Sequence, residues 1–201
     1  MTSMTSTLGP HTVDHHMTRV DIPTGIAFDS FCDAFQQAVP AFDFAHIRRI
    51  TENGGTWQDI AAAVATNARN DMMRYATLDM TALYATTDHR TKAVEYFVGN
   101  HVIADQMVRR DPKILLYAPL RILVHGDADG DAVVSIDQPS TVFASLGVRE
   151  IDEVGSLLDH KITAVLRGIG VNTGDALGRY TDQRTNSAVS SQANESPTRS
   201  R

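Results

Sequence analysis

The chain has 201 residues, of which 42 % are hydrophobic and 21 % charged, a composition typical of a globular protein with one domain of ordinary size. Its formal net charge of −6 argues against a nucleic-acid-binding surface, because such surfaces neutralise phosphates with clustered Lys and Arg. Its apolar runs are far shorter than a membrane span and its N-terminus lacks the apolar core of a secretion signal, so we expect a cytoplasmic protein without nucleic-acid or membrane partners.

Both ends of the chain are polar. Residues 1–17 are irregular and rich in Thr, Ser and His, and residues 172–201 carry almost no large apolar side chains. Such segments cannot repay the conformational entropy that ordering costs. We therefore predict a disordered N-terminal tail over residues 1–17, a single folded domain over residues 18–171 and a disordered C-terminal tail over residues 172–201.

The folded part begins with a predicted strand and helix. Val20 and Ile22 alternate with polar residues, and Pro23 is expected to end this strand. Large apolar residues then recur at steps of three and four, which predicts an amphipathic helix: Phe28, Phe31, Cys32 and Phe35. Cys32 is the single cysteine of the chain, so it forms no internal disulfide, and we expect a small buried apolar group.

A second helix is predicted after the chain break at Asn53-Gly54-Gly55. Thr56 can serve as its N-cap residue. The apolar side chains that would line one face of this helix are Trp57, Ile60, Ala61 and Val64. Over residues 72–86 the helical spacing fails and β-compatible residues dominate, which predicts a strand.

Residues 92–98 are predicted to form a strand with two distinct faces. Val94, Tyr96 and Val98 share one face, and Glu95 and Phe97 share the other. Gly99-Asn100 ends the strand, and since both residues tolerate a positive φ we expect a sharp turn there. A short helix over residues 101–109 should follow.

The last third of the chain predicts a hairpin and a long helix. Residues 114–125 and 132–137 are β-rich on either side of a loop that contains Asp127, Asp129 and Asp131. This loop lacks the glutamate of a calcium-binding loop, whose place would fall on Gln138, so we expect a solvated turn. An apolar stripe with helical spacing follows: Ile151, Val154, Leu157, Leu158, Ile162, Val165, Leu166 and Ile169.

Strands interrupted by single helices, with an antiparallel hairpin near the end, indicate the α+β class. We predict one mixed, largely antiparallel sheet with helices packed on it.

Four short motifs in a fixed order carry a resemblance to a known family. They are Val98-Gly99-Asn100 at the end of a strand, Asp111-Pro112 after a short helix, Pro119-Leu120-Arg121 at the start of a strand and the Asp-Gly loop over residues 126–131. In this order they resemble the domain-of-unknown-function family 302 (DUF302), most closely over residues 77–148. The resemblance implies a fold and a candidate site. It implies no reaction, because the family has no agreed activity.

The chain departs from that family pattern at two positions. Family members often carry Ile-Asp-His where this chain has Leu78-Asp79-Met80, so no role of that histidine is carried over. They often carry Gly-Asn-Pro where this chain has Gly99-Asn100-His101, which replaces a rigid turn residue with an ionisable one.

Polar side chains gather around the end of the strand over residues 92–98, and strand ends are favoured places for ligands. One interpretation makes Glu95 a general base, His101 its proton partner near neutral pH and Asn100 an orienting donor. The other pairs Glu95 with Arg121 on a neighbouring strand and uses Asn100 to cap the next helix. We take Glu95, Asn100 and Arg121 as candidate ligand-binding residues and Glu95 and His101 as candidate catalytic residues.

The sequence predicts no metal site and identifies no cofactor. His11, His15 and His16 lie in a segment without helical pattern, where a bound metal would lack preorganised geometry. His125 and His160 are expected to be surface or structural residues. A Gly-rich phosphate loop, a nucleophile elbow and a His-Glu-x-x-His zinc helix are all missing from the sequence.

We therefore predict a domain that binds a small molecule or assembles with itself. Two alternatives stay open. The first is an enzyme that uses Glu95 and His101 for acid–base catalysis. The second is a purely structural homodimer whose sheet edges pair across a two-fold axis.

Overall fold

The structure, a computed structural model, describes residues 9–178. The strands are β1 (Arg19–Ala27), β2 (Met73–Asp79), β3 (Ala93–Gly99), β4 (Leu120–Gly126) and β5 (Asp131–Asp137). The helices are α1 (Phe28–Ala38), α2 (Phe44–Glu52), α3 (Trp57–Asn67), α4 (Thr81–Tyr84), α5 (His101–Val108), α6 (Pro139–Phe143) and α7 (Arg149–Gly168). Short 3₁₀ turns lie at Arg69–Asp71, Pro112–Leu116 and Ala144–Leu146.

The five strands of the described residues form one sheet in the order β1-β5-β4-β3-β2. Each neighbouring pair is antiparallel, and the parallel contact in this part of the chain is an isolated bridge between Ala41 and Arg74. The predicted α+β class with a largely antiparallel sheet is confirmed. From β2 to β5 each strand lies antiparallel beside the previous one, after a helix or a hairpin. β1 and β2 are joined by three helices and lie at opposite edges of the sheet, and β1 pairs antiparallel with β5.

The main core lies between one face of the sheet and helices α1, α5 and α7. Val94, Tyr96 and Val98 of β3 point into it, as the alternation predicts. From the helices, Phe31 and Phe35 of α1 pack there together with a stripe of α7: Ile151, Val154, Leu158, Ile162, Val165 and Leu166. The last helix is confirmed over 20 residues, but two members of its predicted apolar stripe are not on the buried face. Leu157 is 41 % exposed, and Ile169 follows the end of the helix as its C-cap.

The opposite face of the sheet, which we call the open face, carries exposed and half-exposed side chains. From β1 to β2 its members are Arg19, Asp21, Pro23, Asp137, Ser135, Val133, Arg121, Leu123, His125, Phe97, Glu95, Ala93, Ala76 and Leu78. Leu78 and Leu123 keep 48 % and 39 % of their surface exposed. A smaller second core, formed by Val64, Ala68 and Met73 with Phe42 beside them, packs α3 near the start of β2.

The first strand differs from its prediction. Pro23 does not end β1, which continues to Ala27 with an irregular register after Pro23. β1 pairs with β5 alone, so it is an edge strand, where a missing backbone N–H costs no ladder hydrogen bond. The helix after it is confirmed as α1.

The middle of the chain holds a helix that the sequence did not predict and a strand that is shorter than predicted. Helix α2 buries none of its residues deeply, so it leaves little periodic signal. The strand predicted over residues 72–86 ends at Asp79, whose Oδ1 accepts a hydrogen bond from the backbone N–H of Thr81 (2.9 Å) and so starts α4. The helix capped by Thr56 is confirmed, with a reciprocal bond to Asp59.

Residues 114–119 were predicted as strand and are not. A 3₁₀ turn over Pro112–Leu116 and a cis peptide bond at Ala118-Pro119 precede β4. Asp111 caps that turn by accepting a hydrogen bond from the backbone N–H of Lys113 (2.9 Å). The hairpin from β4 to β5 is confirmed, and Asp127 Oδ1 accepts hydrogen bonds from two backbone N–H groups within the loop.

The packed region extends beyond the boundary predicted at residue 171. Thr173 and Leu177 are buried, and Leu177 belongs to the main core. The amide of Gln138 donates a hydrogen bond to the carbonyl of Leu177 (3.2 Å). The tail predicted over residues 172–201 therefore contributes to packing up to Gly178. Residues 1–8 and 179–201 lie outside the described residues.

Candidate functional site

Asn100 is a structural cap. Its Oδ1 accepts hydrogen bonds from the backbone N–H groups of Val102 (2.9 Å) and Ile103 (3.3 Å) at the start of α5. Its Nδ2 donates to the backbone carbonyl of Asp71 (3.0 Å). The chain turns from β3 into α5 without a positive φ at Asn100, which is extended with φ −147°, the usual N-cap geometry. With both ends of its amide engaged, Asn100 has little left to offer a ligand.

His101 is anchored to a tyrosine that the sequence analysis did not single out. The register of β2 against β3 shifts between Arg74 and Ala76, which leaves Tyr75 as an extra, unpaired residue. Such bulges re-aim a side chain. The Tyr75 hydroxyl accepts a hydrogen bond from the backbone N–H of His101 (3.0 Å) and bonds to its Nδ1 (2.9 Å).

The electrostatics of this pair follow from burial. Desolvation lowers the pKa of His101 and raises the pKa of Tyr75 to about 12, so both side chains are neutral at pH 7. The Tyr75 hydroxyl accepts from the backbone N–H of His101 and keeps its own proton to donate to Nδ1, so the ring proton lies on Nε2. In this tautomer Nε2–H is a buried donor that has no hydrogen-bond partner among residues 9–178. It lies among the rings of Phe42 and Trp57, whose centroids are 5.1 Å and 6.1 Å from that of the imidazole.

Glu95 lies on the open face, away from the surroundings of His101. Its cross-strand neighbours are Leu78 on β2 and Leu123 on β4, and no hydrogen bond or ion pair engages its carboxylate within residues 9–178. The four residues that follow Glu95 in the strand, up to Gly99, separate it from the start of α5 by about 13 Å. The structure therefore does not bring Glu95 together with Asn100 and His101.

Arg121 also lies on the open face, opposite Phe97 and one diagonal step from Glu95. The ion pair predicted between Glu95 and Arg121 is not formed: among residues 9–178 the guanidinium has no acidic partner. The half-buried Glu95 and the exposed Arg121 thus lie on the same face, and neither forms an ion pair within residues 9–178.

A groove of about 240 Å³ opens beside Arg121 at one end of the open face. Its walls are made by Met17, Phe97, Leu115, Leu116, Tyr117, Ala118, Pro119, Leu120, Arg121, Asp137 and Val142. Leu115 and Leu116 belong to the 3₁₀ turn before β4 and are exposed there. Arg121 was predicted from the sequence as a ligand-binding residue, but the groove was not, because the turn that forms it was predicted as strand.

The two charged residues of the groove, Asp137 and Arg121, differ in whether they form an ion pair. Asp137 is held by Arg19 through two hydrogen bonds (Nε to Oδ1 2.8 Å, Nη2 to Oδ2 3.1 Å). Arg121 has no acidic partner in the part of the chain that the structure describes. Within that part, the groove consequently presents an unpaired positive charge next to apolar side chains.

The remaining candidate residues have structural surroundings. Cys32 is buried, as predicted, and burial raises the pKa of its thiol, which also contacts the hydroxyl of Tyr96. His15 contacts Tyr117, His125 contacts Ser135, and His160 bonds to a carbonyl of its own helix. Between residues 9 and 178 there is no group of three or more His, Cys, Asp and Glu side chains arranged to hold a metal ion.

No helix in the described part of the chain is long and apolar enough to cross a membrane.

Comparison with known proteins gives a family and a fold. The family profile described as "Domain of unknown function DUF302" matches residues 50–169. No curated protein sequence gives a significant match. The crystal structure of an uncharacterised conserved DUF302 protein from Bacillus stearothermophilus is similar, with a TM-score of 0.50 over 75 % of this chain and 95 % of that chain. At 12 % identity this similarity shows the fold alone.

Proposed function

This chain belongs to the DUF302 family, and we propose that it binds a small amphipathic anion in the groove beside Arg121. The observation that carries the proposal is the uncompensated guanidinium at the edge of an apolar groove. The anion is a carboxylate or a phosphate monoester with a short apolar body.

The charge argument favours an anion over a neutral or cationic ligand. Arg recognises carboxylates and phosphates through two parallel N–H donors, and charge-assisted hydrogen bonds contribute about 1.5–3 kcal/mol each. Asp137 would repel an anion, but its two hydrogen bonds to Arg19 offset its charge. Arg121 is therefore the group in this groove that most needs a partner.

The walls of the groove indicate the size and the apolar character of the uncharged part of the ligand. Phe97, Leu115 and Leu116 offer apolar surface that an aliphatic or aromatic body can cover. The volume of about 240 Å³ is below the usual range of about 300–1,000 Å³ for drug-sized ligands. A compact ligand with a single charged end is the class that fits.

Acid–base catalysis by Glu95 and His101 has less support, because the two side chains share no contact and Nε2 of His101 is enclosed by aromatic rings. Small-molecule binding, which was part of the leading prediction from the sequence, agrees better with an open groove. The cytoplasmic location and the absence of nucleic-acid and membrane partners stay predictions.

The proposal is tested by titration with three probes of equal chain length: hexanoate, hexyl phosphate and 1-hexanol. Affinities near 1 mM are expected for ligands of this size, so chemical shifts of the methyl groups of Leu115 and Leu116 are a suitable measurement. Hexanoate or hexyl phosphate should bind, and the preferred one identifies the anion class. Hexanol should bind at least tenfold more weakly.

The matched variants are Arg121→Gln and Arg49→Gln. Arg49 is an exposed arginine of α2 outside the groove, so its replacement removes the same charge without touching the site. Arg121→Gln should weaken anion binding by tenfold or more, and Arg49→Gln should leave it unchanged. Equal affinity for hexanol and the two anions, or equal effects of the two variants, would refute the proposal.

A further inference from the structure

Three apolar side chains form a diagonal line across the open face. The register places Val133 opposite His125 and Leu123 opposite Ser135 between β5 and β4. It also places Leu123 opposite Glu95 and Arg121 opposite Phe97 between β4 and β3. Val133, Leu123 and Phe97 therefore lie on successive strands, each displaced by two residues along the strand, and we call them the apolar diagonal.

The charges of the open face flank this diagonal on opposite sides. Glu95 is the neighbour of Leu123 on one side, one strand away. Arg121 precedes Leu123 by two residues on the same strand and lies on the other side of the diagonal. Neither charged group has a partner within residues 9–178, so each is available to a group from outside the chain.

We propose that a second copy of this chain packs against the open face, related by a two-fold axis along the apolar diagonal. The axis places Val133, Leu123 and Phe97 of each copy against the same residues of the other, which is the arrangement of an isologous interface. Because the axis runs diagonally across the strands, the strands of one copy lie roughly across the strands of the other. The two sheets then cross at a steep angle, the orthogonal class of sheet packing.

Charge complementarity supports this choice of partner. Neighbouring strands lie about 4.8 Å apart, and successive residues on one face of a strand lie about 6.8 Å apart. With these spacings, rotation about the diagonal places Glu95 of one copy almost directly over Arg121 of the other, with a lateral offset of about 3 Å. The symmetry makes this contact twice. The arrangement also places His125 of each copy over Ser135 of the other.

The edges of the sheet are less suitable for pairing with a second copy, contrary to the sheet-edge homodimer considered from the sequence. On β1, Pro23 lacks a backbone N–H, and the register is irregular between Pro23 and Ala27. On β2, the extra residue Tyr75 interrupts the ladder, and Arg74 is already bridged to Ala41. Bulges and prolines are devices that discourage edge pairing.

The expected affinity follows from the size of the face. Five strands and three rows of side chains cover about 20 Å by about 20 Å, or about 400 Å² on each copy. The total of about 800 Å² is below the range of standard interfaces and is that of weak, transient ones. We therefore expect a weak dimer that dissociates in the high micromolar range. This dimer does not depend on the anion proposed above, although both would use Arg121.

The first experiment is analytical ultracentrifugation of the full chain from micromolar to millimolar concentration. Wild type should associate to a dimer. Glu95→Arg alone and Arg121→Glu alone should each weaken dimerisation by tenfold or more, and the two changes together should restore it. Arg49→Glu, a charge reversal on α2 outside the open face, should have no effect.

The second experiment locates the axis. Leu123→Cys and Leu78→Cys place a thiol at two exposed leucines of the same face, while the native Cys32 is 7 % exposed. A short bis-maleimide should link two copies through position 123, where the axis brings the residues together across sheets about 10 Å apart. It should not link them through position 78.

Different results would overturn the dimer and the position of its axis. A wild-type chain that stays monomeric at millimolar concentration overturns the proposal, as does a double charge reversal that dissociates like the single variants. Equal cross-linking at both positions overturns the axis. Glu95 does not line the groove, so Glu95→Arg tests the dimer without changing the residues that would bind the anion. The dimer and the anion site can therefore be refuted separately.

Discussion

Leu158 and Leu157 provide a direct test of how α7 packs. The two leucines are adjacent in one helix, yet Leu158 is 4 % exposed and belongs to the main core, while Leu157 is 41 % exposed. Replacing either by Ala changes helix propensity by the same small amount. The difference between the two variants therefore measures burial alone.

The cost of Leu158→Ala has two parts. Three buried carbon atoms at about 0.8 kcal/mol each contribute about 2.4 kcal/mol. The cavity that remains adds about 1–2 kcal/mol, at about 24 cal/mol per Å³. The expected loss of unfolding free energy is about 3–4 kcal/mol.

Urea denaturation measures this loss. With a slope of about 2 kcal/mol per molar urea, the midpoint for Leu158→Ala should fall by about 1.5–2 M. Leu157→Ala should change the unfolding free energy by less than about 1 kcal/mol. If Leu158→Ala leaves too little folded protein, Leu158→Met, with an expected cost below about 1.5 kcal/mol, takes its place. Equal costs at the two positions would show that the helical phase of α7 is wrong.

Further predictions concern the cap, the imidazole and the chain ends. Asn100→Ala should lower the unfolding free energy by about 1–3 kcal/mol, because it loses the cap and the hydrogen bond to the carbonyl of Asp71, whereas Asn100→Asp should keep the cap and lose less in the same urea assay. Burial lowers the pKa of His101 below 6.5, so on acidification the imidazole takes up its proton more readily in the unfolded chain than in the folded one. The unfolding free energy should therefore fall as the pH drops through 6.5, and His101→Gln should lack this decrease. Removal of residues 179–201 should leave the thermal midpoint within a few degrees, while removal of residues 172–201, which takes away the buried Leu177, should lower it clearly in calorimetry.

The elements that sequence reasoning predicted correctly are those whose apolar residues repeat over several turns or strand positions. α7 and β3 are the clearest cases, because each keeps a continuous pattern on the side that packs into the core. α2 was missed for the opposite reason: its side chains are not buried, so its sequence needs no apolar stripe. The turn at Pro112–Leu116 was mistaken for strand, because Ile114 and Leu115 suit either structure.

The candidate site could be predicted only in part, because neighbouring strands are not visible in one sequence. Alternation correctly placed Glu95 on the face opposite Val94 and Tyr96. It could not show that Leu123, and not Arg121, lies directly beside Glu95, since register depends on tertiary packing. Tyr75 was missed for a related reason: a bulge adds one residue to a strand, and a pattern of period two does not locate it.

Arg121 connects the two proposals, and thermodynamic linkage fixes how they must interact. If the guanidinium can serve either a bound anion or the carboxylate of Glu95 from a second copy, then the factor by which the anion weakens the dimer equals the factor by which the dimer weakens anion binding. Hexanoate or hexyl phosphate at saturating concentration should therefore raise the dimer dissociation constant of wild type. It should not do so for Arg121→Gln, in which the shared group is gone. Dimerisation that is unaffected by a saturating anion would mean that Arg121 serves one of the two occupants and not the other, and the Glu95→Arg variant then shows which one remains.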